Sequence, residues 1–490
     1  MKLPTADAAA AAAADGATAA KGSSSTLFDP KKADALLASD LYRMSVDERN
    51  FVFEDIHGVR SLSEEENDPS KMKKSLEAMD LALEKIESKD AYYDAVTIDS
   101  DYVLRNEELR IRFLRAEKFD ASKAAQRFVH YLDFYRELFG NVALVRPIYF
   151  DDLSKSEQSL LREGCQQLLP CRDRTGRRIY VRIGNMKGAE ENQFSQPMLR
   201  ITHYIFQVLS EDVRTQQYGC AMVLYAGSYA NNDNNYSNGE TKFLKDPNIR
   251  ERMKKCHQCL PFRISSMHYC MPNTVVYKLA SAAILLLSTE DQRVRTRFHY
   301  GSQMECKYAL MTFGIPGDQL PVTSSGFIKL VNHQRWINFL REKEMIQLMN
   351  TSGNSVIAPF EGIDCPRAMD ILIGNSGHNT SHFKSTPGNV MYLELLLTYL
   401  KQYHETSDSK IKTKVTWQVF EKLKDAGSRI LVRDKRGWWK VANTDRAREK
   451  IAHDFRETIR KSGINNKRKR FLQKDAAMVP PSRYEEETKE

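Results

Sequence analysis

Apolar positions first recur at helical spacing between residues 105 and 139. RNEELRIRFLRAEKF (105–119) puts Leu109, Phe113 and Leu114 on one stripe. After Asp120, a good N-cap, Ala124, Phe128, Leu132, Tyr135 and Phe139 repeat until Gly140 stops the run. The spacing predicts two amphipathic helices joined by a tight turn. From 170 the period changes. RDRTGRRIYVRIG is a turn leading into a strand with Ile179, Val181 and Ile183 on one face. A helix over 196–214, a strand at 220–225, a helix over 245–259 and a strand at 261–269 follow. A helix from Asn273 to Ser288, a strand at 293–300 and a helix over 302–312 complete the series. Strands alternating with helices predict an α/β domain with a largely parallel sheet.

The helix 273–288 has almost no polar face in its second half, where Ala282, Ala283, Ile284, Leu285, Leu286 and Leu287 are consecutive. Such a helix is buried in a core or covers an apolar ligand as a lid. Helical spacing alone assigns Val276, Leu279, Ala283 and Leu286 to its inner face.

The ends of the chain read differently. Residues 1–25 are alanine-rich and of low complexity, without the apolar core of a signal peptide, and predict a disordered tail. Residues 26–90 predict a helical or linking segment, with LYRMSVDERNFVFEDIHGV (41–59) its most ordered part. Within it SEEENDPSKMKK (63–74) reads as a solvated connection. TSGNSVIAPFEGIDCP (351–366) is a linker by composition. Two helices then carry Leu393, Leu396, Leu397 and Leu400, and Val415, Val419 and Leu423. RILVRDKRGWWKV predicts a hairpin about the Asp434–Gly437 turn, and Ala447, Ile451, Phe455 and Ile459 predict a last helix. Residues 365–462 thus form a small α+β domain, ahead of a charged tail over 463–490.

Charge sharpens this division. The chain carries a net +9, yet between Lys410 and Arg470 twenty Lys/Arg face seven Asp/Glu, leaving the remainder slightly acidic. Two modules with different partners are expected. The longest apolar run, AAILLL at 282–287, is far short of the ~20 residues of a membrane span. Contact with a membrane surface is compatible with this pattern; crossing is not. Eight scattered cysteines with no secretory signal predict a reduced, cytoplasmic chain.

Candidate chemistry is sparse. Cys256, Cys259, His268 and Cys270 are zinc-ligand types, but a CxxC without a second pair is a weak signal. LPFRISSM between them reads as a buried strand, and packing as small hydrophobes is the commoner role of such cysteines. No metal or other cofactor is expected. No GxSxG, GxxxxGK[ST] or HExxH occurs. His404–Glu405 stands alone, and Gly374–Asn375–Ser376–Gly377 has the wrong spacing for a nucleophile elbow. No catalytic residue is assigned, and a non-enzymatic protein is expected.

Several motifs occur in an order that resembles the CRAL-TRIO lipid-binding family. They are RFLRAEKFD (112–120), DRTGRRIYV (173–181), LPFRISSMH (260–268), MPN (271–273) and GIPGDQLPVTSSG (314–326). The resemblance divides residues 91–345 into a helical preface (91–145) and a lipid-binding domain (150–345). It implies a pocket floored by the sheet, closed by the helix 273–288 and filled by one hydrophobic, lipid-like molecule. It also implies phosphoinositide recognition at an anionic membrane surface by Arg263, Arg293, Arg295 and Arg297. In an extended segment the last three would share a face, about 6–7 Å apart. Ser265 and Glu117 stand where a member of that family carries basic residues.

The basic module resembles a domain of unknown function found mainly in proteins of diatoms and related algae. DILIG (370–374), PGN (387–389), GSRIL (427–431), GWWKV (437–441) and AREKIAHDFR (447–456) carry the likeness, with Asn375 and GSRIL departing from it. The likeness implies no activity. A basic helix and wing with Lys435, Arg446 and Lys450 would also suit nucleic acid, and KRKR (467–470) would suit a nuclear signal. The expected function is binding, transfer or sensing of a lipid-like ligand by a cytoplasmic, peripheral membrane protein. The alternative is a nucleic-acid-binding regulator acting through the basic domain, in the nucleus.

Overall fold

The N-terminal third of the chain is helical, and its helices begin where side chains can hold the first free amides. A computed structural model describes residues 29–59, 62–184, 195–226, 248–351, 358–373 and 386–476. The expected tail over 1–25 and residues 477–490 of the charged tail lie outside the described residues. The N-terminal helices include α1 (Pro30–Arg43), α2 (Val46–His57), α3 (Pro69–Glu84), α4 (Glu107–Ala116) and α5 (Ala121–Phe139). Asp120 caps α5 through the Lys123 amide at 3.0 Å, as its position predicts, and Asn106 caps α4 through Leu109 at 3.0 Å.

The segment read as a solvated connection is ordered instead. Asp68 accepts the Ser70 amide at 2.8 Å and Pro69 opens α3, whose Leu76, Met79 and Leu83 enter the main core. Glu66, just before it, is buried against Arg115 at 2.6 Å. The run of charges hid an Asp-Pro helix start.

Five strands follow: β1 (Gln166–Arg172), β2 (Arg178–Ile183), β3 (Cys220–Tyr225), β4 (Ile264–Met271) and β5 (Thr296–Tyr300), paired in sequence order. β1 is antiparallel to β2, and the other pairs are parallel. The connections carry α6 (Gln196–Ser210), α7 (Ile249–Gln258), α8 (Val275–Leu287) and α9 (Glu290–Arg295). With parallel neighbours added in one direction, right-handed crossovers place these helices on one face. Tyr180, Met222 and Met267 meet α5 and α6 there in the largest core. Ile179, Val181, Val223 and Cys270 point to the other face, against Leu310 of α10 (Gln303–Thr312).

One expected element is corrected. Residues 293–300 are not a continuous strand. Thr289 and Gln292 form a capping box that starts α9, so Arg293 and Arg295 lie on a helical turn and β5 begins at Thr296. The predicted alignment of Arg293, Arg295 and Arg297 along one extended face does not occur.

Helix α11 (Val331–Thr351) returns across β1 and carries a buried acid, Glu344. Tyr204 donates to Glu344 Oε1 at 2.8 Å, and the Phe150 amide donates to Oε2 at 2.7 Å. Burial outweighs both donors and pushes the carboxyl from 4.5 up to about 7. The folded chain therefore keeps a proton that the unfolded chain releases between these values, and stability falls as pH rises through that window. Glu344→Gln keeps one acceptor and removes the titration. Thermal melts from about pH 5 to 7.5 should show wild type losing on the order of 2–3 kcal/mol relative to the variant.

The basic module has its own core. A three-stranded sheet of β6 (Ile371–Ile373), β7 (Ile430–Arg433) and β8 (Trp439–Val441) packs with α12 (Pro387–Glu405), α13 (Ser409–Asp425) and α14 (Thr444–Ala476). The predicted hairpin is β7–β8. Strand β6, parallel to β7, was not expected from pattern. Ala447, Ile451 and Phe455 of α14 are fully buried against Val415 and Val419, as their spacing predicts. α14 runs through the first part of the expected charged tail, and the KRKR side chains lie outside those described.

Candidate functional site

The four arginines assigned to an anionic partner lie close to the N-terminal helices. Arg263, ahead of β4, is buried and reaches Asp55 Oδ1 at 3.2 Å. Arg295 on α9 is buried between Asp55 Oδ2, at 3.1 Å, and Asp291, at 2.5 Å. Arg293 is buried against Asp40 Oδ2 at 2.5 Å, and also donates to the carbonyls of Leu285 (2.7 Å) and Ser288 (2.8 Å). Arg297, on β5, is half-buried and bonds the carbonyls of Val294 (3.0 Å) and Thr296 (2.8 Å). Burial holds its guanidinium below the ordinary range.

Asp40 and Asp55 are the residues that sequence reasoning missed. Asp40 lies on α1 and Asp55 on α2, exposed by 0% and 2%. Two carboxylates desolvated to this degree are tolerated because guanidinium groups meet them. Both acids interrupt otherwise apolar faces, Asp40 beside Leu37 and Asp55 beside Val52 and Ile56. An acid on the buried stripe of a short helix was the available signal.

A fifth arginine secures the same contact. Arg177 is fully buried, pairs with Asp173 at 2.5 Å, and donates to the carbonyls of Asp55 and, at 3.4 Å, Ile56 at the end of α2. A cation at a helix C-terminus is favoured by the free carbonyls and the helix dipole. His57 ends α2 and stacks on Phe313 at 5.2 Å, which also meets His268 and His299. His268 Nδ1 lies 3.1 Å from His299 Nε2. Burial lowers His268 well below the ordinary histidine range and His299 to about 4, so neutral rings are favoured near neutral pH.

Helix α8 lies between β4–β5 and α1. Tyr277 and Ile284 pack with Tyr269, Phe298 and Tyr300, and Ser281 Oγ meets Tyr300 Oη at 2.6 Å. On the α1 side Ala282 and Leu285 close on Ala33. Helical spacing misassigned part of this face. Ala283 is buried and Leu286 half-buried, but Val276 and Leu279 are 52% and 45% exposed, beside Val275 at 73%. The buried arc is centred on Tyr277, Ser281 and Ile284, because α1 as well as the sheet demands contact.

Cys256 and Cys259 end α7 against the main core, whereas Cys270 points to the opposite face of the sheet. Among the described residues no group of three or more Cys, His, Asp or Glu is placed to hold a metal ion. No helix among them is long and apolar enough to cross a membrane.

In the basic module the motif residues have structural roles. Arg429 forks onto Asp370 at 2.9 and 2.6 Å, joining β7 to the start of β6. Asn389 brackets Leu372, accepting its amide at 2.8 Å and donating to its carbonyl at 3.1 Å. Lys450 pairs with Asp454 at 2.5 Å, and Tyr392 donates to the same carboxylate at 2.9 Å. Lys435 and Arg446 are exposed. The hairpin tip is docked on α11: Trp438 packs edge-on to Phe339, and Arg436 pairs with Glu342.

Residues 370–457 match a domain of unknown function (DUF6824). The match covers the module with its own core and reaches none of the arginine-rich site. The DUF6824-like module therefore accounts for DILIG through AREKIAHDFR as parts of one fold. No curated protein matches the chain.

Proposed function

We propose that residues 91–345 form a CRAL-TRIO-like domain that binds and transfers, or senses, a hydrophobic lipid-like molecule beneath helix α8, without catalysis. The observation that carries this reading is the position of α8. One side rests on the aromatic residues Tyr269, Phe298 and Tyr300, and the other side presents Val275, Val276 and Leu279 to solvent. A helix apolar on both sides is suited to leave the sheet for a bilayer surface while the ligand crosses between them.

Membrane recognition would use the arginines. In the closed form Arg263 and Arg295 are paired with Asp55 and Arg293 with Asp40, Arg297 bonds backbone carbonyls, and α1 packs along α8. An anionic headgroup must therefore compete with two carboxylates of the same chain. Displacement of α1 and α2 would free the guanidinium groups and the lid together, making ligand exchange conditional on an anionic, phosphoinositide-containing surface.

Replacing Val275, Val276 and Leu279 together by serine tests the lid. These side chains are exposed, so the fold is retained, while binding to vesicles should fall at least about tenfold. Vesicle sedimentation with the intact chain reads the change. Unaltered binding, or a salt-dependent shift of DNA by the intact chain without lipid transfer, would contradict the proposal.

A further inference from the structure

The outer face of α13 is a surface that the lid does not account for. Val415, Val419 and Leu423 bury one side of this helix in the core of the DUF6824-like module. On the opposite side Lys410, Lys414, Trp417, Glu421 and Lys424 follow at alternating steps of four and three, which sets them in one straight row along the helix. All five side chains are exposed. At 1.5 Å per residue the row is about 21 Å long.

Its lysines are uncommitted. Lys410, Lys414 and Lys424 meet no carboxylate among the described residues, whereas Lys412, off the row, sits over the Tyr403 ring at 5.5 Å. Glu421 is the one acid of the row, and α13 as a whole carries five lysines against two acids. Trp417 is equally unusual. The chain's other three tryptophans are 5–6% exposed, whereas Trp417 is 37% exposed. Phe420 meets it edge-on at 5.7 Å and fixes the ring in that position.

Charge and apolarity interleave here. Ile411, Lys414 and Trp417 succeed one another at steps of three, so a lysine stands between two exposed apolar side chains, with Ile411 at 43%. At a bilayer surface a lysine lays its stem along apolar neighbours and keeps its ammonium in water, while an indole settles at the headgroup level with its N–H wet. A groove that tracks nucleic-acid phosphates would use the lysines and leave Ile411 without a role. We propose that this face of α13 docks the DUF6824-like module on a membrane surface rich in anionic phospholipid. Lys410, Lys414 and Lys424 then meet the headgroups, and Trp417 and Ile411 enter the boundary with the acyl chains. This contact is separate from that of α8, which lies in the other module.

Exposure makes Trp417 its own reporter. The intact protein is titrated with vesicles of equal parts phosphatidylcholine and phosphatidylserine whose acyl chains carry bromine, a contact quencher of indole fluorescence. A saturable fall in tryptophan fluorescence is expected, and Trp417→Phe should remove it, because the other three indoles are buried. Lys410→Gln, Lys414→Gln and Lys424→Gln combined break no contact within the fold and should weaken the quenching titration at least about tenfold. No fall on the anionic vesicles, an equal fall on brominated phosphatidylcholine alone, or a fall that survives in Trp417→Phe would overturn the proposal. Quenching of Trp417 by a single-stranded oligonucleotide, with none by the brominated vesicles, would also overturn it and assign the row to nucleic acid.

Discussion

Asp55→Asn is expected to detach helices α1 and α2 and to raise binding to anionic vesicles at least about tenfold. Asp55 is the common partner of Arg263 and Arg295, with all three side chains nearly inaccessible. Removing one member of such a cluster costs roughly 3–5 kcal/mol, because the charges left behind remain desolvated. The apolar contacts of α2 on this face, chiefly Val52 and Ile56 against Val294, are few. The helices leave rather than the sheet unfolding, since β4 and β5 are held by their own ladder and by Leu310 and Cys270 on the far face. Each arginine freed near an anionic surface contributes about 1 kcal/mol, so two suffice for the expected gain. Hydrogen exchange should show residues 46–57 losing protection while 264–271 keep theirs. Arg263→Ala with Arg295→Ala, added to Asp55→Asn, should cancel the gain on anionic vesicles. Protected α2 amides and unchanged binding would refute this account of the cover.

Trp438→Ala should uncouple the two modules. The indole packs edge-on to Phe339 at 5.5 Å and to Phe360 at 5.8 Å, with the Arg436 guanidinium 4.4 Å from its ring. Truncating a buried aromatic costs about 3–5 kcal/mol. Here the loss falls on the junction, because the core of Tyr392, Val419, Ile451 and Phe455 does not use Trp438. Calorimetry should resolve a second transition, and limited proteolysis should cut within 358–369. One transition at the wild-type temperature would mean that the modules are not coupled through this residue.

Most of the sheet domain and part of the basic module were legible because their signals are local. Ile179, Val181 and Ile183 alternate, Asp120 sits at an N-cap, and Ala447, Ile451 and Phe455 repeat on one stripe. The errors arose where a tertiary contact decides. Val276 and Leu279 satisfy a helical stripe, yet α1 occupies the side from which the buried arc is drawn. Arg293 and Arg295 sit in a segment whose alternation resembles a strand, but the Thr289–Gln292 box starts a helical turn first. Asp40 and Asp55 come from a segment with little hydrophobic content, and their importance appears only against arginines more than two hundred residues away. Among the motifs of the basic module, Trp438 of GWWKV joins the main core at the junction, whereas Ile371, Ile430, Ala447, Ile451 and Phe455 of the others enter the module's own core.

The most direct measurement is native mass spectrometry of the intact protein before and after organic extraction. An excess mass in the lipid range that disappears on extraction is expected. The bare chain mass in both states, with no lipid recovered in the extract, would contradict a ligand held beneath α8.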